Sequence, residues 1–488
     1  MLLFENEVTF IMEVKDKKRF YIDVAIILGL MFGFGFIPPI DPITPHGMRV
    51  LGILFGCIYA WTIGSQVWPS LVALLALGFL PGNNVTAVFS SAFGNQTLLM
   101  VVFCLIFCNA VENCGLLSVI ANKILSMKFM RKGPWWMAFG FFVASCITSA
   151  FVGQPAVSIF LWAIFFDIIR KTSLEAKTPY VAVVMIGITI CGYAGNAIMP
   201  FGAFVQIGVA VMSAVVPGFV MNYLAYSLMV LIICIILCPA LTLFFKLICP
   251  KFDFEVPEDI VDTNNTGLTF VQKITLASVA FVVFLLTAPS FMPVEWAITA
   301  PLKNFGVTGG MCLTSVLLML IVVNDKSIGD ISGAMRKLPW DLYFLLAAAL
   351  TISGFITAEG TGITKFLQTI FTPLLADKPV LVFLAILVFV GCVITNCLNN
   401  VVTYTILIPV SMAFAGAYGV NPELIVAMFA VILYQGLVLP SGSILGALLH
   451  ANKDWLTAKQ IYIYASLGEL LLATVVVLVL PIAMNFLF

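Results

Sequence analysis

Long apolar stretches alternate along the chain with short polar segments. A helix needs about 20 apolar residues to cross the hydrocarbon core of a bilayer. On that measure, spans are predicted near 20–38, 47–65, 67–81, 96–119, 180–213, 222–246, 271–290, 306–323, 340–358, 422–449 and 460–487, eleven in all. Two further apolar stretches, 135–169 and 379–416, carry polar residues at their midpoints. Each reads as a re-entrant helical hairpin that enters and returns on one side. The fold class this pattern predicts is an all-α polytopic membrane protein with about eleven transmembrane helices and two hairpins.

Composition agrees. Of 488 residues, 62% are hydrophobic and 9% charged, against about 25% charged in an ordinary soluble chain. The formal net charge is zero, so there is no basic field for nucleic acid. Two histidines, His46 and His450, are too few for a histidine metal cluster. The 12 cysteines show no Cys-x-x-Cys spacing and read as small packing residues. No resident cofactor is expected.

Charge placement gives an orientation. Met1 to Phe20 lacks the order of a secretory leader, because its basic cluster, Lys15, Lys17, Lys18 and Arg19, comes just before the first apolar run. That order is expected of a cytoplasmic flank. Starting inside, 19 of the 23 Lys and Arg fall on cytoplasmic segments, leaving Arg49, Lys303, Lys365 and Lys378 outside. The expected arrangement is a multi-pass protein of the inner (plasma) membrane, N-terminus cytoplasmic and C-terminus outside. Segments follow as 1–19 cytoplasmic, 20–249 a first repeat with hairpin 135–169, 250–269 an acidic cytoplasmic linker, and 270–488 a second repeat with hairpin 379–416.

The repeat is legible in short motifs. Glu112-Asn113-Cys114-Gly115 recurs as Glu359-Gly360-Thr361-Gly362, an offset of 247 (359 − 112), and Ile147-Thr148-Ser149 recurs as Ile394-Thr395-Asn396 at the same offset. After each hairpin comes an apolar span interrupted by Gly and Pro. The first interruption runs from Gly192-Tyr193-Ala194-Gly195-Asn196 through Pro200-Phe201-Gly202, and the second from Gln435-Gly436 through Pro440-Ser441-Gly442-Ser443. An odd number of crossings separates the copies, so the repeats are expected to be inverted. Paired interrupted helices in inverted repeats point to the binding site of a secondary transporter. Unwound backbone inside a bilayer is tolerated only where protein, water or a ligand satisfies it. Carbonyl clusters suit sodium, and helix N-termini suit an anion.

The hairpin tips read Thr148-Ser149-Ala150-Phe151-Val152-Gly153-Gln154-Pro155-Ala156 and Thr395-Asn396-Cys397-Leu398-Asn399-Asn400-Val401-Val402-Thr403. They resemble the Ser-Asn-Thr tips of the divalent anion/sodium symporter family, the sodium-coupled dicarboxylate and sulfate carriers. Also similar are Ala110-Val111-Glu112 with Gly115-Leu116, Pro339-Trp340-Asp341-Leu342 through Gly354 to Gly362, and the span from Leu51 to Pro69. The resemblance covers nearly the whole chain. It implies substrate contacts from Gly153, Gln154, Pro155, Asn399, Asn400, Val401, Pro200 and Ser441. It implies sodium sites around Ser149, Gln154, Asn196, Gly202, Thr395, Asn400 and Gly442. It further implies an elevator motion and a homodimer in the lipid bilayer.

This chain departs from the family pattern where Pro155 and Val401 lack a hydroxyl. The first tip also has two registers: the 247 offset pairs Gly153 with Asn400, whereas the family pattern pairs Gln154 with it. Buried amides in membrane helices also act as interhelical glue worth about 0.6 kcal/mol. Site roles are favoured over glue for Asn399, Asn400 and Gln154, glue is favoured for Thr148 and Asn396, and Asn196 and Ser441 are balanced. Glu112 and Glu359 read as cap or turn residues. Asp341 reads as a helix-start residue, and Asp167 and Glu469 have no assigned partner.

The expected function is secondary active transport of a small anion of the di/tricarboxylate or sulfate class, with sodium as coupling ion. A sodium-independent exchanger or a monocarboxylate carrier is the alternative. No zinc-protease, nucleophile-elbow or Walker motif is present, which argues against an enzyme or an ATP-driven pump. Paired hairpins argue for alternating access over a channel.

Overall fold

The structure is a computed structural model. It describes residues 17–488 apart from 173, 251–253, 255–266, 294, 298, 337, 339, 376, 377, 399 and 441. The helices of the first half are α1 Lys17–Leu28, α2 Pro45–Thr62, α3 Val67–Gly78, α4 Val85–Phe93, α5 Gln96–Asn113, α6 Leu116–Leu125, α7 Pro134–Ser149, α8 Gln154–Arg170, α9 Pro179–Asn196, α10 Ala203–Val215 and α11 Tyr223–Ile248. Those of the second half are α12 Phe270–Phe291, α13 Thr299–Leu320, α14 Ile331–Arg336, α15 Trp340–Thr357, α16 Ile363–Leu375, α17 Val380–Cys397, α18 Asn400–Tyr418, α19 Pro422–Ile432, α20 Ile444–Ala451 and α21 Ala458–Phe486. Two-residue strands at Val322–Val323 and Lys326–Ser327 form a small hairpin.

Several helices start where sequence chemistry says they should. Thr44, Thr178 and Asn421 each cap a helix whose first residue is proline. The cap oxygen satisfies an orphan amide, and the proline has no amide to leave unpaired. Thr269 with Gln272 and Thr457 with Gln460 form capping boxes at α12 and α21.

The order of elements recurs between the halves. In each, a hairpin (α7–α8, α17–α18) is followed by a helix, a break and a second helix (α9–α10, α19–α20), then by a long helix (α11, α21). The repeated Glu-x-x-Gly motif supplies the same turn twice. Gly115 and Gly362 are both left-handed, at φ 73° and 70°, a conformation that glycine adopts without strain.

Helices α9 and α19 lie at the centre. Nearly every residue of each is buried, as expected of helices that are apolar all round. The backbones of α7 and α9 meet closely: a Cβ at Gly195 would fall on the carbonyl of Cys146. Elements of the two halves interlock, α10 against α18 and α19, and α21 against α9 and α11. A second group packs around them, with α5 on α13, α3 on α15, α2 on α3 and α12 on α13.

The span count differs from the sequence reading. Among the described residues eight helices are long and apolar enough to cross a membrane, or up to nine with the bent pair Val85–Phe93 and Leu98–Asn113. Three expected spans are shorter helices, Val67–Gly78, Phe305–Leu320 and Pro422–Ile432. A hydropathy window runs through loops and turns that geometry interrupts. Conversely, α17 and α18 are each long enough to cross, so length alone does not mark that pair as re-entrant. The first break is also shorter than expected. Gly192 to Asn196 is helical, and the chain leaves the helix only at 197–202. Gly192 and Gly195 serve close packing, not unwinding. Trp61 is buried and donates to Ser70.

A candidate site where two tips and two breaks converge

One cavity of about 390 Å³ collects the interrupted elements of both halves. Tip one contributes Gly153, Gln154 and Pro155, and tip two contributes Asn400 and Val401. Asn196 and Gly202 come from the first break, and Gly442 and Ser443 from the second. Tyr193, Phe204 and Tyr434 form an aromatic wall, the Phe204 and Tyr434 rings stacked at 3.9 Å and the Tyr193 and Tyr434 rings 4.3 Å apart. Eight sequence-predicted site residues therefore meet in one place.

Three do not line it. Pro200 lies within the first break, where its carbonyl is taken by the Gln206 side chain. Ser149 and Thr395 sit behind the tips, fully buried. Asn399 and Ser441 lie outside the described residues.

At tip one, Gln154 is the first residue of α8 and its amide nitrogen donates to Ser158 Oγ at 2.8 Å and to the Thr189 carbonyl at 3.3 Å. Its Oε1 is buried with no partner, and so is the Ser149 hydroxyl. Both belong to a polar cluster over Gly192, where a Cβ would meet Ser145 Oγ, Gln154 Nε2 and Ser149 Oγ. Buried polar atoms are nearly always bonded. Unpartnered buried oxygens on two residues of one cluster suit a hard cation, which takes oxygen ligands. Asn196 donates to the Ser149 carbonyl at 2.9 Å and so ties the first break to the tip.

At tip two, Asn400 is the first residue of α18. Gln154 and Asn400 each stand at the start of the described part of the helix that follows their tip. With its nitrogen turned toward the oxygens around it, Asn400 donates to the Leu433 and Gly442 carbonyls at 3.1 Å and to Thr395 Oγ1 at 3.0 Å. Thr395 in turn donates to the Leu433 carbonyl at 2.6 Å. The tip is thus bonded to both ends of the second break. Glycines make this loop possible, since Cβ atoms at Gly436, Gly442 and Gly446 would press on backbone 2.7–2.8 Å away. Gln435, at its start, is buried with both side-chain polar atoms unpartnered.

The structure supplies a partner set for Glu469. Its carboxylate accepts from Leu437 N at 2.8 Å and from Asn396 Nδ2, while Asn396 Oδ1 accepts from Val438 N at 2.8 Å. Asn396, favoured as glue, pins the second break from behind. Thr148 bonds back to the Ala144 carbonyl, in keeping with a packing role. Asp167 pairs with Arg170 at 3.1 Å on an exposed surface, where such a pair contributes little.

Two carboxylates face the cavity that the sequence reading placed elsewhere. Glu112, from α5, accepts from the Gly153 amide at 3.1 Å. Asp341, in the first turn of α15, also lines the cavity. Among the described lining residues there is no Lys or Arg. The repeated Glu-x-x-Gly motif was the signal for Glu112, but only the fold brings it to the tip.

Paired helical tips and broken helices around one cavity that holds a few polar groups, in a chain of long apolar helices, define a membrane transporter. Residues 57–432 match the citrate transporter family (CitMHS), and the chain belongs to that family, within the symporter group its tips resemble. It is a transporter, not an enzyme. It is similar to the sodium-dependent dicarboxylate transporter SdcS of Staphylococcus saprophyticus, 22% identical over 83% of this chain and 80% of the relative. A 96-residue stretch, 19% of this chain and 16% of the relative, is 31% identical to the Na(+)/citrate cotransporter of Mus musculus. The fold is similar to that of the YdaH transporter of Alcanivorax borkumensis, with TM-score 0.57, 13% identity, and coverage of 90% of this chain and 98% of that one. It is also similar to MtrF of Neisseria gonorrhoeae, with TM-score 0.53, 11% identity, and coverage of 93% and 97%.

Proposed function

We propose that the protein is a secondary carrier of di- or tricarboxylates, coupled to sodium and working by an elevator form of alternating access. The observation that carries this reading is the convergence of Gln154, Asn400 and the two breaks on one cavity, with unpartnered oxygens of Ser149 and Gln154 beside it. A dianion in a cavity without Lys or Arg needs countercharge, because an uncompensated buried charge is costly. Bound sodium supplies it. Ser149 and Gln154 with Asn196 and Gly202 form one sodium site, and Thr395, Asn400 and Gly442 the other, where the Asn400 amide turns over to present Oδ1 to the ion. Gly153, Pro155 and Val401 shape the space between them. One charge crossing 100 mV releases about 2.3 kcal/mol, so a dianion needs three or more sodium ions for the potential to drive its entry.

The two halves act as inverted repeats. Helices α7–α11 and α17–α21 travel as one body against a dimeric scaffold of the remaining spans, with the N-terminus inside and the C-terminus outside. The similarity to a sodium-dependent dicarboxylate transporter and to an Na(+)/citrate cotransporter supports substrate and ion. The test is uptake of radiolabelled succinate and citrate into proteoliposomes. Uptake should need a sodium gradient, and rates that persist when choline replaces sodium would remove the coupling.

A further inference from the structure

We propose that Glu112 is a latch: in the carrier without substrate, its carboxylate occupies the tip amide that a substrate carboxylate takes on binding, and so fastens the hairpin to the surrounding helices. This rests on the carrier reading above.

The geometry is specific. Glu112 lies in the last turn of α5, which packs on α13, whereas Gly153 belongs to the tip joining α7 to α8. The 3.1 Å bond from Gly153 N to Glu112 Oε1 therefore joins the two packed groups of helices. It ends on the amide immediately before α8, a helix of 17 residues, at the positive end of its dipole. Gly153 leaves no space to spare, because a Cβ there would fall on Glu112 Oε1. The residue is not locked in the core, since both Glu112 and this bond are exposed to the cavity. The next residue, Gln154, carries a buried Oε1 without a partner.

A carboxylate on a tip amide is what the proposed substrate would present. Arrival of the substrate exchanges one charge-assisted hydrogen bond for another of the same kind, so displacement costs little. The incoming anion also repels Glu112, a second negative charge in the same cavity. Once displaced, Glu112 no longer holds the tip. The empty carrier is thereby held in place and the loaded one released. The transport cycle then favours exchange of one anion for another over net uptake, because return of the empty carrier is the latched step. A ligand that must displace an internal competitor has its affinity scaled down by the fraction of protein that is unlatched.

Reconstituted protein gives the test, with radiolabelled succinate and citrate as probes. Exchange is measured in vesicles preloaded with unlabelled probe, net uptake in empty vesicles, and affinity on the purified protein in sodium. Glu112→Gln keeps the shape and removes the charge. It should tighten probe binding and raise the ratio of net uptake to exchange by about tenfold, the effect of one charge-assisted hydrogen bond. Gly153→Ala, whose new methyl displaces the carboxylate, should move the ratio the same way. A gain in affinity cannot come from damaged folding. A wild-type ratio in both variants, or weaker binding in Glu112→Gln, overturns the latch while leaving the carrier reading intact. Wild-type protein that neither binds nor transports either probe overturns the carrier reading, and the latch with it.

Discussion

Asn400 is the residue on which most of the site depends, because one side chain joins the second tip to both ends of the second break. Asn400→Ala should abolish dicarboxylate uptake while the protein still elutes as a folded species on size exclusion. Ser149→Ala removes a hydroxyl that has no protein partner. It should leave thermal stability near wild type, since an unbonded hydroxyl contributes none, and raise the sodium concentration for half-maximal uptake. Glu469 is different in kind. Its carboxylate accepts from Leu437 N and Asn396 Nδ2, and Glu469→Gln sets two amide nitrogens against each other. Turning Asn396 over only moves the conflict to Val438 N. The expected cost is about 2 kcal/mol, read as a lower unfolding temperature in detergent together with loss of uptake. The tip amides were legible in the sequence because polar residues midway along an apolar stretch need a reason. Glu469 stood out for the same cause, but its partners sit 32 and 73 residues away and no local pattern names them.

At the scale of elements, the hairpins and the two interrupted spans were visible as apolar runs broken by Gly, Pro and amides. Their boundaries were not. Gly192 and Gly195 look like helix breakers in the sequence, yet α9 continues to Asn196. These glycines are there because α7 approaches to backbone contact. Gly195→Ala should therefore force α7 and α9 apart and destabilise the protein by about 1–3 kcal/mol, measured as a drop in unfolding temperature. A glycine serves a bend or a close approach equally well, and only the neighbouring helix decides which. The Glu-x-x-Gly motif is the opposite case, since its two copies fold into the same left-handed turn at Gly115 and Gly362, and the local sequence was enough.

For the whole molecule, the interlocking of α10 with α18 and α19, and of α21 with α9 and α11, makes the two sets of tips and breaks one body. If that body moves through the membrane in inverted halves, single cysteines at Phe151 and Leu398 in a cysteine-free background should be labelled from opposite faces in opposite states. Labelling of both from one face under all conditions would defeat the inverted arrangement.

The amino-acid sequence by itself determined that this chain lives in a bilayer, because 62% hydrophobic and 9% charged residues leave no soluble alternative. It also marked where the helices are interrupted, since polar groups inside hydrocarbon must be satisfied. Tertiary structure alone decided what satisfies them. It assigned Gln206 to the Pro200 carbonyl, Asn400 to the second break, Glu469 to Leu437 and Glu112 to the first tip. Hydropathy is a property of one segment, whereas a hydrogen bond between distant segments exists only once their helices are packed.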